Sequence, residues 1–104
     1  DADPRVPQLK ARLQFLGAAG EDEAALAARV AANANDLDAR LKLANLLVAA
    51  GQYEAGMDQL LEIVRRDRSF GDDVGRKTLL SVFNLLGGSE LASRYRRMLA
   101  SALH

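Results

Sequence analysis

The stretch Asp36–Ser69, DLDARLKLANLLVAAGQYEAGMDQLLEIVRRDRS, decides the fold. Two apolar-striped runs flank Gly51, each the length of an ordinary helix. In the first, Leu37, Leu41, Ala44 and Val48 share a face, with Arg40, Leu43 and Leu47 beside it. In the second, Tyr53, Met57, Leu60, Leu61 and Val64 do the same. Spacings of three and four residues give a helix one buried side. Gly51 is the natural stop between the runs, because glycine takes the left-handed cap conformation without a Cβ clash. The stretch therefore reads as an αα-hairpin with a very short turn.

The rest of the chain repeats this pattern. Residues 1 to 7 are a lead-in with two prolines, and a first short helix is expected from Pro7 to Gly17 on Leu9, Leu13 and Leu16. An Ala-rich helix follows over Glu21–Ala34, with acidic residues in its first turn and Leu26 and Val30 as its large apolar side chains. Asn33-Ala34-Asn35-Asp36 supplies its stop and the N-cap of the next helix. Beyond the hairpin, Asp72 or Asp73 is expected to cap a helix ending at Leu86, whose stripe is Leu79, Val82, Phe83 and Leu86, widened by Leu80 and Leu85. Gly87-Gly88 ends it, and Ser89 caps a last helix carrying Leu91, Tyr95, Met98 and Ala102. Leu79, Leu80, Phe83, Gly87 and Ala92 match the first hairpin at a spacing of about 36 residues, close to the roughly 34 of one helical repeat class. The expected fold is all-α: about six antiparallel helices in three hairpins, stacked as a short right-handed solenoid around one core.

Composition sets the bounds. A chain of 104 residues makes one domain with a modest core. Apolar residues are 49% and charged residues 27%, with frequent alanine and little valine or isoleucine, which favours helices over a sheet. Lys+Arg and Asp+Glu are 14 each, so no global field favours nucleic acid or an anionic membrane. The five aromatics do not interleave with the arginines as a nucleic-acid stacking platform would. Cysteine is absent, excluding disulfides and thiol chemistry within these residues, in keeping with a cytoplasmic location. No apolar run approaches the roughly 20 residues of a membrane span, and the acidic stretch DADPRVP carries no signal-peptide pattern.

No catalytic constellation emerges. Asp36, Asp38, Asp72 and Asp73 lack a calcium-loop spacing and serve helix ends instead. His104, the only histidine, sits at the last position with no triad around it. Ser89 beside Gly87 and Gly88 lacks the full phosphate-loop pattern. The expectation is a protein that is not an enzyme, with no cofactor, no metal and no small-molecule substrate.

The central hairpin resembles a tetratricopeptide repeat. The positions that carry the resemblance are Leu43, Ala44, Leu47, Gly51, Tyr53, Gly56 and Leu60, followed by Ile63. The small residues have a physical reason, since two helices approach closely only where Ala44 and Gly56 leave room. Arg40 stands where the repeat usually has Trp, and Arg68 where it usually has Pro. Tyr53 is read as a turn-packing residue, Tyr95 as core, and Met57 and Met98 as gap-fillers.

The C-terminal part narrows the resemblance. Arg76-Lys77-Thr78, Leu85-Leu86-Gly87 and Leu91-Ala92-Ser93-Arg94-Tyr95-Arg96-Arg97 with Leu99, preceded by Gly51-Gln52-Tyr53-Glu54 to Arg66-Asp67, are similar to the end of the thioredoxin-like co-chaperone family YbbN (chaperedoxin CnoX). In that family a thioredoxin-fold domain precedes a repeat-like helical region. The resemblance implies that this chain is the C-terminal part of such a protein. It also implies a protein–protein interaction role, with bacterial chaperones, including the chaperonin, and unfolding client proteins as partners. Arg94 and Arg97, with Ser101 on the same side and Arg65 at the end of the preceding repeat, are the candidate contacts. The other reading of these arginines, a solvated face with favourable charge toward a helix C-terminus, stands ahead of docking on the residues alone. Two alternatives stay open: a structural cap closing the solenoid, and a regulatory domain of a thioredoxin-type redox protein.

Overall fold

The structure is a computed structural model that describes residues 23–104. The helix expected over Pro7–Gly17 lies outside them. Among the described residues there are five helices and no strand: α1 over 23–32, α2 (Leu37–Ala49), α3 (Tyr53–Arg66), α4 (Phe70–Leu86) and α5 (Glu90–Ala102). The fold is an all-α helical repeat.

Local chemistry sets most boundaries. Asp36 caps α2, its Oδ1 accepting the Ala39 N–H at 3.1 Å, and Ser89 caps α5 by accepting the Ala92 N–H at 3.2 Å. Gly51 follows α2 at φ +83, where a side chain would be strained. One boundary differs from expectation. Asp72 and Asp73 do not cap α4. They follow Gly71 in the left-handed region, at φ 60 and 68, and set the first turn off by a kink. Their carboxylates reach forward instead, Asp73 accepting from Arg76 Nε at 2.6 Å and Asp72 from Lys77 Nζ at 3.2 Å. One arginine and one lysine thus take the place of the backbone N–H groups a cap would satisfy.

Packing explains why α2 shows no single stripe. Ala44, with Leu37, Leu41 and Val48 at its edges, joins the main core formed with α3, α4 and α5. Ala39, Leu43 and Leu47 form a second, smaller cluster with Leu26 of α1. The helix is apolar on two sides because it has neighbours on two sides. In the main core Met57, Leu60, Leu79 and Ala92 are fully buried, with Leu61, Ile63, Val64, Val82, Phe83, Tyr95 and Leu99 nearly so. Tyr53 and Met98 are half-buried at its edge.

The α2–α3 crossing is close. A Cβ placed on Gly56 would sit 2.7 Å from Val48 Cγ2 and 3.2 Å from the Ala44 carbonyl oxygen. The α3–α4 crossing uses Gly75 in the same way, against Ile63, Val64 and the Leu60 carbonyl. Leu80 and Leu85 do not widen the buried stripe of α4: they are 42% and 62% exposed. They flank the buried face on a helix of the final hairpin, beyond which no further described helix stacks.

Candidate interaction surface

Helix α5 turns Ala92, Tyr95 and Leu99 into the core. Helical spacing then puts Glu90, Arg94, Arg97 and Ser101 on one exposed ridge. Two contacts to the first turns of α3 set its position. The Tyr95 hydroxyl, almost fully buried at the ring, donates to Asp58 Oδ1 at 2.5 Å and lies 3.5 Å from Glu54 Oε2. Burial, reinforced by the Asp58 carboxylate, raises the Tyr95 pKa well above its ordinary value. Arg94 donates to the same Glu54 Oε2 at 2.8 Å, with its guanidinium 5.4 Å from the Tyr95 ring centre. Arg96 points the other way, over the Phe83 ring of α4 at 5.3 Å.

Pairs Glu54–Arg94 and Asp58–Tyr95 hold α5 against the first turns of α3. Arg65 lies in the last turn of α3. Arg65 is about half exposed and only 3.7 Å from Glu62. Arg94, Arg97 and Ser101 thus share the exposed side of α5, Arg65 stands on α3, and the four are not equivalent. Arg94 is engaged by Glu54, Arg65 is near Glu62, and Arg97 is in none of the ion pairs seen among the described residues.

A second polar assembly was not legible in the sequence. Arg40, 7% exposed, donates from Nε to the Ala34 carbonyl and from Nη1 to Gln59 Oε1, both at 2.8 Å. Arg66 of α3 reaches Asn35 Oδ1 at 2.7 Å and Glu62 at 2.9 Å, while Arg29 of α1 grips Asp36 with two nitrogens at 3.1 and 3.2 Å. Arginines from three helices therefore hold the 33–36 loop. Burial lowers the Arg40 pKa from its usual value, and the nearby Arg66 charge adds to this. The guanidinium occupies the place of the usual Trp by burying its stem and satisfying its head on loop and helix.

The grooves of the described residues are shallow. One lies between α1 and α2, lined by Ala25, Leu26, Arg29, Lys42, Asn45 and Leu46. Another follows the α2–α3 turn to Leu91. Among the described residues there is no group of three or more His, Cys, Asp or Glu placed to hold a metal, and no helix long and apolar enough to cross a membrane.

Comparison with curated proteins and with solved structures gives no match. A family model does match: the tetratricopeptide repeat, over residues 17–104. This repeat generally mediates protein–protein interaction. The match runs through both hairpins and takes in Gly51, Gly56 and the whole of the α5 ridge, so the chain belongs to the tetratricopeptide repeat family.

Proposed function

We propose that this domain is the protein-interaction module of a thioredoxin-like co-chaperone, and that it docks through the α5 ridge on an acidic surface of a chaperone, the chaperonin being the first candidate. The observation that carries the docking reading is the division of labour on α5. Its apolar side is consumed by the core, while Arg94, Arg97 and Ser101 line an exposed side, with Glu90 at its N-terminal end and Glu54 of α3 touching it only at Arg94. Complementary charge on a partner would steer and orient such a contact. The co-chaperone assignment rests on the residue resemblance of the C-terminal part, and the interaction role on the family. Client proteins are the second partner class in this reading. A closing cap fits less well, because terminal repeats present a polar outer face and Leu80 and Leu85 are exposed on α4.

The test is affinity capture from a bacterial lysate with the partner identified by mass spectrometry. Deleting residues 89–104 would remove Ala92, Tyr95 and Leu99 from the core, so truncation confounds binding with folding. Arg94→Glu would set a second carboxylate beside Glu54. Arg97→Glu alone avoids both problems. A chaperone captured by the parent chain and lost with folded Arg97→Glu supports the proposal. Equal capture by both, or no chaperone captured by the folded parent chain, overturns it.

A further inference from the structure

We infer that Glu54 is a built-in competitor for the acidic ligand of the α5 ridge, holding Arg94 until a partner carboxylate displaces it. This rests on the docking reading above and adds regulation to the same surface. Glu54 lies in the first turn of α3 and offers Oε2 to Arg94 Nη2 at 2.8 Å. Both side chains stay in water, at 59% and 51% exposure. An exposed ion pair of this kind is weak and exchanges readily. The Arg94 guanidinium is also steadied over the Tyr95 ring, so it remains on the ridge when Glu54 lets go. Arg97 lies one turn on along the same ridge, outside the ion pairs of the described residues. An acidic ligand therefore finds Arg97 outside those pairs and gains Arg94 only by replacing Glu54. Tyr95 keeps its hydrogen bond to Asp58 throughout, so the exchange does not require α5 to move.

The probe is a fluorescein-labelled helical peptide of alanine and glutamate, about 16 residues long so that its helix persists. Binding to the full chain is followed by anisotropy. Glu54→Gln removes the competing charge and should tighten Kd by about two- to five-fold, the range an exposed pair can contribute. Asp38→Asn removes one negative charge on α2, away from the ridge, and should change Kd much less. In a Glu54→Gln/Arg94→Met chain the gain should disappear, because Arg94 transmits it. Circular dichroism establishes that each variant is folded. If Arg97→Glu weakens binding but Glu54→Gln does not tighten it, or if Asp38→Asn tightens it equally, the competitor role is overturned while the docking surface stands. If Arg97→Glu leaves peptide binding unchanged, or the peptide does not bind the parent chain, the ridge is not an acidic-ligand site and both readings fail.

Discussion

Gly56→Ala is expected to destabilise the domain, although alanine is the better helix former. In an exposed helix the exchange gains about 1 kcal/mol. Here the new methyl carbon would sit 2.7 Å from Val48 Cγ2 and 3.2 Å from the Ala44 carbonyl oxygen. Carbon atoms pack best at about 3.5–4.0 Å, so roughly 1 Å of separation is missing. Val48 is β-branched and stiff at χ1, its side chain already packs against the main core, and the carbonyl belongs to the α2 backbone. The helices must therefore move apart, at an overpacking cost of about 1–3 kcal/mol. After the propensity gain, a net loss of about 1 kcal/mol is expected, and at most about 2. Urea unfolding followed by circular dichroism gives the difference as a midpoint shift at constant slope. Val48→Ala removes the nearer clash, so Gly56→Ala should cost at least about 1 kcal/mol less in that background. A Gly56→Ala chain that gains about 1 kcal/mol, with no coupling to Val48, would refute the close α2–α3 approach.

Arg40→Lys keeps the charge but loses the fork that reaches both the Ala34 carbonyl and Gln59, and should cost about 1–3 kcal/mol in the same assay. Tyr95→Phe should cost about 0.5–1.5 kcal/mol at neutral pH through the lost bond to Asp58. Because the Tyr95 pKa is raised on folding, its contribution is complete below the ordinary value of 10.0 and is lost as pH rises above it. The gap between parent and Tyr95→Phe should accordingly narrow above pH 10.0, as unfolding midpoints across an alkaline series would show.

Sequence was informative wherever the deciding interactions lie within a turn or two of the chain. The α3 face follows from spacings of three and four residues, whereas α2, expected to bury one side, buries two. The Asp36 and Ser89 caps are local hydrogen bonds to N–H groups three positions on. Gly51 marks its turn through its own φ. The same local rules failed at Asp72 and Asp73, where Arg76 and Lys77 compete for the carboxylates and the backbone takes the left-handed region. They missed Gly75 as a crossing point, because nothing local announces that Ile63 and Val64 will lie against it.

Sequence alone thus specifies an all-α chain of short helices with a hairpin turning at Gly51 and a close approach at Ala44 and Gly56, since each is encoded by periodicity or by the size and conformational needs of single residues. Tertiary structure decided where polar groups found partners. Arg40 read as a departure from the repeat until Gln59, nineteen positions away, and the Ala34 carbonyl supplied its acceptors. Arg94 read as an open docking charge until Glu54, forty positions away, engaged it. Leu80 and Leu85 read as core and stayed in solvent, because burial needs a neighbour and not only an apolar side chain. Hydrophobic pattern repeats along a chain and can be counted there; the partner of a charge is a point in space, fixed only when distant helices have packed.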